Sequence, residues 1–343
     1  MPTLGRIAIP IFASLAVLAG CSHSVGTDLT FQRGVQLLAA GSPKSAIPLF
    51  MQVIASAPDG PEPRAMLSLA YALDLQGDRA ILQAKEARRN RHATDPPGWE
   101  SVAMGIAEMT QHRPAEAVRH LDQVAAGAPK GSPIAWAARQ WWTLALILKA
   151  DHAKAAESLA ELSESGPTRM TALLWGVVIH ARHRQTPKAA ERLIQAAKEA
   201  SAASGQDLGT LDAAGTDGQG LYDAAVAAVA QGDFAKANTL FRVLEQRSPD
   251  AGDVPVWLAL LAAVNGRWAA ACDKLKDACQ AGSLRSRALA HHMLGVVYAL
   301  EDRPDLMIQS MLTGQRLLRR GSLPAHVTTQ PRPDVVWFSD RMK

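Results

Sequence analysis

Small and apolar residues recur along the chain in a pattern that predicts pairs of amphipathic helices. A stripe of the form small-x-x-x-large-x-x-apolar, as at Ala46, Phe50 and Val53, places three side chains on one helix face. The same stripe occurs at residues 117–124, 155–162, 237–244 and 271–278. A preceding apolar stretch contains a small residue, such as Gly105, which predicts a first helix that packs closely against the second.

The helix pairs repeat with a nearly constant period. Aligning them by their small residues gives starts near 27, 61, 98, 136, 170, 218, 252 and 288, so the usual spacing is about 34 residues. Glycines, or a polar residue such as His112 or Asp302, are predicted to form the turns within the pairs. A generic all-helical domain would explain the apolar spacing but not the period. Because one pair cannot bury its stripe alone, the pairs are expected to stack.

The repeat resembles the tetratricopeptide repeat (TPR) family. The residues that carry the resemblance are Leu294-Gly295-x-x-Tyr298 in the last copy and Ala46-x-x-x-Phe50, followed by Pro58, in the first. The copies that begin near 61 and 170 depart most from the family pattern. The resemblance implies an all-α, TPR-like helical-hairpin solenoid of about eight repeats that forms a right-handed superhelix.

The N-terminal segment predicts export and a lipid anchor. Residues 1–20 contain Arg6 and then an apolar stretch that is short for a membrane span, which is typical of a signal peptide. Leu18-Ala19-Gly20-Cys21 resembles the bacterial lipoprotein cleavage box, which implies cleavage before Cys21 and acylation of that residue. Ser22 favours the outer membrane, since Asp at that place would resemble an inner-membrane retention signal. The alternative is an ordinary signal peptide followed by a chance cysteine.

The repeat pattern predicts how the chain after residue 20 is divided. Residues 21–26 form an acylated tether, 27–200 a first array of about five repeats and 218–321 a second array of about three. Residues 201–217, rich in Ala, Gly, Ser and Asp, are predicted to be a flexible joint or a longer inter-repeat loop. The tail 322–343 contains prolines and an apolar segment at 335–338, which either caps the last repeat or lies in the groove.

A partner-binding groove is implied by the resemblance to the family. In TPR proteins the first helix of each repeat lines the concave face, and the corresponding positions are mostly apolar here. They are Trp99, Val102, Ile106, Met109, Gln140, Leu144, Ile147, Leu174 and Val178. This composition differs from grooves that clamp charged peptide ends and favours an apolar helix or extended apolar segment as ligand. A shift of one position would instead make these residues part of the core between repeats.

Little else in the sequence indicates chemistry. The formal charge of +4, or +3 without Arg6, is too small for the chain's size to indicate nucleic-acid binding. The chain contains no phosphate loop, nucleophile elbow or paired metal-ligand motif, so we expect no enzyme, cofactor or bound metal. Cys272 and Cys279 lie about 10.5 Å apart along one helix, too far for a mutual disulfide, and are expected to be packed core thiols.

One basic run has two interpretations. Residues 85–92 include Lys85, Arg88, Arg89 and Arg91 at the end of a second helix. Positive charge there stabilises the helix end. The run could also contact anionic lipid head groups or an acidic partner.

These observations together favour a membrane-anchored, periplasm-facing scaffold that binds another protein. The expected setting is cell-envelope assembly, of pili, a secretion system or outer-membrane proteins. The alternative is an envelope carrier that holds a lipid or another apolar ligand in the solenoid groove, and a weaker one is an enzyme subunit whose chemistry lies in another chain.

Overall fold

The described part of the chain is a succession of helical hairpins. The computed structural model describes residues 25–91, 98–129, 131–164, 169–204, 218–247 and 253–322, and these ranges contain sixteen α-helices. In chain order the helices are α1 (Val25–Ala39), α2 (Pro43–Ser56), α3 (Pro61–Leu73), α4 (Gly77–Arg89), α5 (Trp99–Thr110), α6 (Pro114–Gly127), α7 (Pro133–Leu148), α8 (His152–Glu164), α9 (Arg169–Arg182), α10 (Thr186–Ser204), α11 (Gly218–Ala230), α12 (Phe234–Arg247), α13 (Val254–Val264), α14 (Trp268–Gln280), α15 (Leu284–Leu300) and α16 (Pro304–Ser322).

These helices pair in sequence into eight hairpins. The first helix of each hairpin begins within four residues of the repeat start that the sequence predicted. The hairpins stack on one another along the chain. The all-α, TPR-like solenoid is therefore confirmed, including the two atypical repeats, which form α3/α4 and α9/α10.

Glycines let the two helices of a hairpin approach closely. A methyl group on Gly34 would lie 2.6 Å from the Phe50 ring, and one on Gly105 would lie 2.5 Å from Leu121. Both distances are shorter than carbon atoms tolerate, so a larger residue would displace the packed Phe50 or Leu121 side chain or move the helices apart. The predicted packing role of the small residues is confirmed.

A left-handed residue reverses the chain in every hairpin turn. At the first turn the Gly41 N–H donates to the Leu38 carbonyl at 2.8 Å, and the Ser42 N–H donates to the Leu37 carbonyl at 2.9 Å. This is a Schellman motif, which satisfies the last carbonyls of the first helix. The residues with positive φ in the eight turns are Gly41, Leu75, His112, Ala150, Arg184, Gly232, Gly266 and Asp302. The sequence indicated the glycines, His112 and Asp302, but Leu75, Ala150 and Arg184 have no preference for this conformation.

Substituting Ala150 by glycine is expected to stabilise the protein by about 0.5–1 kcal/mol. Ala150 has φ of 62°, where its Cβ atom is strained, and glycine removes that strain. Urea unfolding of the variant measures the change. Gly232→Ala is the matched control. It should lower the free energy of unfolding by about 1 kcal/mol, because φ of 80° strains an alanine. Steric clash should add nothing, since the new methyl group meets only an ordinary contact. A destabilised Ala150→Gly variant would contradict the left-handed turn.

The hairpins form an inner and an outer layer. Two inner helices are buried on all sides: every residue is buried from Trp99 to Met109 in α5 and from Val254 to Val264 in α13. The outer helices bury a narrow stripe, such as Ala117, Leu121 and Val124 in α6. The stripes on the outer helices are those that the sequence predicted. Burial all round α5 and α13 shows that these helices are covered on the side that faces away from their hairpin partners.

That side is covered by the chain itself, because the solenoid curls until its C-terminal repeats meet its N-terminal repeats. Helix α9 packs against α13 and α15, α7 packs against α15, and α5 contacts α16. The Gln315 Nε2 atom of α16 donates to the Ala39 carbonyl of α1 at 2.9 Å. Repeats seven and eight therefore occupy the concave side of repeats three to five, and the last helix reaches the first hairpin.

Several predicted boundaries fall partly outside the described residues. The signal segment 1–20, the first residues of the tether and residues 323–343 of the tail lie there. Of the predicted joint at 201–217, residues 201–204 are helical because α10 continues to Ser204, and the remaining ones lie outside the described ranges. Helix α10 packs against α11, as neighbouring repeats do elsewhere in the solenoid.

Candidate functional site

The nine residues of the predicted groove are brought together, but they are buried. Trp99 is the most exposed of them, at 9%, and Val102, Ile106 and Met109 are completely covered. All nine lie on α5, α7 and α9, which the C-terminal repeats cover. In this conformation they are core residues rather than the lining of an open groove, and their role in partner binding stays a prediction. Their burial agrees with the alternative that these residues belong to the core between repeats.

Contacts at the turn end of the hairpins also join distant repeats. The His112 Nδ1 atom lies 4.0 Å from the Asp302 carboxylate, so the turn of the third repeat adjoins the turn of the eighth. The Arg182 guanidinium lies over the Trp268 ring, 5.6 Å from its centre, and connects the fifth repeat with the seventh. Both contacts are consistent with one curled solenoid.

Polar side chains are buried within the inner layer. Gln140 is 1% exposed, and its amide nitrogen and oxygen have no hydrogen-bond partner among the described residues. The hydroxyl groups of Thr143 on α7 and Ser158 on α8 form a hydrogen bond, with their oxygen atoms 2.7 Å apart. The Trp257 indole N–H donates to the Tyr222 hydroxyl at 3.0 Å, and burial raises the pKa of that phenol. The nearby Asp253 and Asp223 carboxylates raise that pKa further, so the phenol stays neutral and acts in packing.

The described cysteines and histidines do not form a reaction centre. Cys272 and Cys279 are buried and free, as expected, and burial raises the pKa of the Cys279 thiol to about 12, which makes it a poor nucleophile. His180 is hydrogen-bonded to Gln185 at 2.7 Å. Among the residues that the structure describes, no three His, Cys, Asp or Glu side chains are placed to hold a metal ion.

An exposed basic and apolar surface lies on the outer layer of the first two repeats. We call it the α2/α4 face and define it by the exposed side chains Lys44, Met51, Arg79, Leu82, Lys85 and Arg89; exposed Asp78 and Arg88 lie beside them on α4. Tyr71 of α3 lies between the two helices: its hydroxyl is 3.8 Å from the Met51 sulfur, and the Arg79 guanidinium is 5.8 Å from its ring centre. These contacts make one continuous surface from residues of two repeats.

The apolar side chains and the charges of this face come from different residues of α2 and α4. Four large hydrophobic side chains are exposed among the described residues. Two of them lie on this face: Met51, which is 52% exposed, and Leu82, which is 56% exposed. Helix α2 contains no acidic residue. On α4, Asp78 accepts a hydrogen bond from Gln111 and Glu86 accepts one from Arg89. The sequence analysis noted only the basic run of α4 and missed the apolar part.

The proposed lipidation site lies outside the described residues. Cys21 precedes the start of α1 at Val25 by four residues. Within the ranges that are described, none of the helices combines the length and apolar character that crossing a bilayer requires.

Comparison with known proteins supports the repeat. Residues 222–286 match the tetratricopeptide repeat model. This segment contains α12, α13 and α14 with most of α11, so it covers repeats of the second array. No curated protein matches the sequence of the chain.

Several solved structures are similar to the chain at low identity. Yeast Tom70 is 13% identical with a TM-score of 0.42, over 91% of this chain and 70% of that one. The Cut9 and Hcn1 hetero-tetramer of the APC/C gives 15% identity and a TM-score of 0.39, over 88% of this chain and only 57% of the other's length. PilW, a type IV pilus biogenesis factor, is 13% identical with a TM-score of 0.33, over 74% of this chain and 93% of that one. At such low identity these similarities assign no function.

Proposed function

We propose that the protein is a lipid-anchored scaffold that binds a protein partner at a bacterial cell envelope. The observation that supports a binding role is the architecture: the described residues form stacked TPR-like hairpins, and part of the chain matches the TPR model. The anchor is proposed from the cleavage-box residues Leu18-Ala19-Gly20-Cys21. No reactive arrangement was found among the described side chains, so we propose a non-enzymatic role.

The position of α1 is consistent with such an anchor. Val25 is the fourth residue after Cys21, so the first hairpin would begin within about 15 Å of the acylated residue. Two or three acyl chains would hold the protein at the membrane, where one chain would bind only reversibly. The solenoid would then be presented at a fixed distance from the lipid, on the periplasmic side of the outer membrane if Ser22 has the effect expected from the sequence.

The partner is expected to use the outer layer or the ends of the hairpins, because the chain's own repeats cover the concave side. The carrier alternative is less well supported, since an apolar ligand would have to displace packed residues such as Ile106 and Val178, which are 0% and 2% exposed. Assembly of pili, of a secretion system or of outer-membrane proteins is the proposed setting.

Two measurements test the proposal. Metabolic labelling with a fatty acid should mark the wild type and leave Cys21→Ser unlabelled, because the thiol carries the lipid; equal labelling would refute the anchor. Crosslinking in intact cells, followed by purification from membranes, should recover a specific protein. Recovery of an enriched lipid with no protein would instead support the carrier.

A further inference from the structure

The α2/α4 face combines the two properties that hold a protein surface at an anionic bilayer. Lys85 and Arg89 lie four residues apart, and Leu82 lies three residues before Lys85, so these exposed side chains occupy one side of α4. On the neighbouring outer helix, Met51 and Lys44 extend the same surface. Apolar side chains flanked by Lys and Arg are typical of helices that lie at the lipid interface.

We propose that the α2/α4 face lies on anionic phospholipid head groups, with Met51 and Leu82 towards the acyl boundary. This inference rests on the proposed anchoring at Cys21. The anchor joins the chain only four residues before α1, so the first hairpin, which contains α2, begins close to the membrane. The face therefore occurs where a lipid surface would be within reach.

The charges at this face favour lipid over an acidic protein. Exposed Lys44 contacts Asp74 only at 4.0 Å, and exposed Arg89 bonds to Glu86 of its own helix at 2.9 Å. These surface pairs are weak and solvated, so the cations can exchange to phosphate groups. Long cationic side chains beside exposed Met51 and Leu82 suit a layer of anionic head groups above an apolar boundary.

The contact orients the scaffold. The acyl chains at Cys21 alone leave the solenoid free to rotate about its tether. A second contact through α2 and α4 would place the outer layer of repeats one and two on the membrane. Joined to the anchor, this contact needs little affinity of its own, because the tether keeps the face close to the lipid.

Vesicle binding of the full mature chain with Cys21→Ser tests the face without the acyl anchor. We expect binding to vesicles of phosphatidylethanolamine and phosphatidylglycerol, little binding to phosphatidylcholine, and release at about 1 M salt, where charges are screened beyond about 3 Å. Each cation near an anionic surface contributes about fivefold to partitioning. Lys85→Glu with Arg89→Glu should therefore weaken binding by more than about tenfold.

A matched control separates the face from net charge. Lys154→Glu with Lys236→Glu makes the same charge change on exposed positions of α8 and α12, and it should bind within about twofold of the parent. Leu82→Ser replaces an apolar side chain that is 56% exposed. It should weaken vesicle binding, because the apolar contact with lipid is lost, and an unchanged thermal transition will show that the fold is kept.

Equal losses in the two charge-reversed variants would overturn the proposal, as would a parent chain that ignores anionic vesicles. Capture of an acidic protein without vesicle binding would overturn it too. Because fatty-acid labelling of Cys21 is measured separately, failure of the anchor and failure of the face can be distinguished.

Discussion

Acidification from neutral pH to about pH 5 is expected to lower the free energy of unfolding by about 2 kcal/mol through His292 alone. This side chain is fully buried between α15 and α16, and burial, with the charge of His291, lowers its pKa from 6.5 to about 3. Below about pH 6.5 the His292 imidazole binds a proton in the unfolded chain, whereas in the folded chain it stays neutral down to a much lower pH. Stability is therefore complete at neutral pH and falls as the pH decreases through that range.

The slope of stability against pH measures the effect. Between about pH 6 and pH 5, where most carboxylates are still ionised, His292 should contribute up to about 1.4 kcal/mol per pH unit. His292→Gln removes one titrating group, so its slope should be smaller by nearly that amount whatever its absolute stability. His112→Gln is the control, because that side chain lies in a turn and is 65% exposed. Parallel slopes for the wild type and His292→Gln would show that burial does not keep the imidazole neutral.

Gly41→Ala is expected to destabilise the protein by about 3 kcal/mol, which is well above the effect of an ordinary turn substitution. Gly41 has φ of 68°, and a methyl group on it would lie 2.6 Å from the Leu312 carbonyl oxygen of α16. The first effect is local strain of about 1 kcal/mol. The second arises because α16 must move away, which weakens the contact that joins the first hairpin to the last helix.

Gly266→Ala separates these two effects. Gly266 has φ of 72° in an equivalent turn, but nothing lies within 4 Å of the added methyl group. It should lose only the strain of about 1 kcal/mol. Denaturant unfolding gives both values, and small-angle scattering should show a larger radius of gyration for Gly41→Ala alone. Equal destabilisation of the two variants would mean that the closing contact adds nothing to stability.

The pattern of residues predicted the units of this fold because each unit is held by local contacts. The stripe at Ala117, Leu121 and Val124 faces its own hairpin, and Gly105 faces Leu121 sixteen residues away. Such contacts repeat with the period, so they can be found by aligning the sequence with itself. Turn residues without a left-handed preference, such as Arg184, were missed, since the neighbouring helices impose their conformation.

The candidate sites were predicted less well. The apolar residues of α5, α7 and α9 were found, but their burial depends on α13 and α15, which are far away in the sequence. The sequence pattern of an apolar side chain is the same whether a partner protein or the chain's own residues bury it. The α2/α4 face was missed because its parts belong to two repeats, although the lack of acidic residues in α2 was a usable signal.

The sequence alone predicted the helical hairpins, their number and the turns that contain glycine, His112 or Asp302, since these depend on side chains close together in the chain. The lipid anchor at Cys21 stays a prediction. The tertiary structure alone decided how far the solenoid curls, which set the concave side against the C-terminal repeats and left α2 and α4 exposed. The physical reason is that curvature accumulates from small angles between successive repeats. Each angle depends on packing at one interface, and their sum brings Gln315 to Ala39, a contact that no local pattern records.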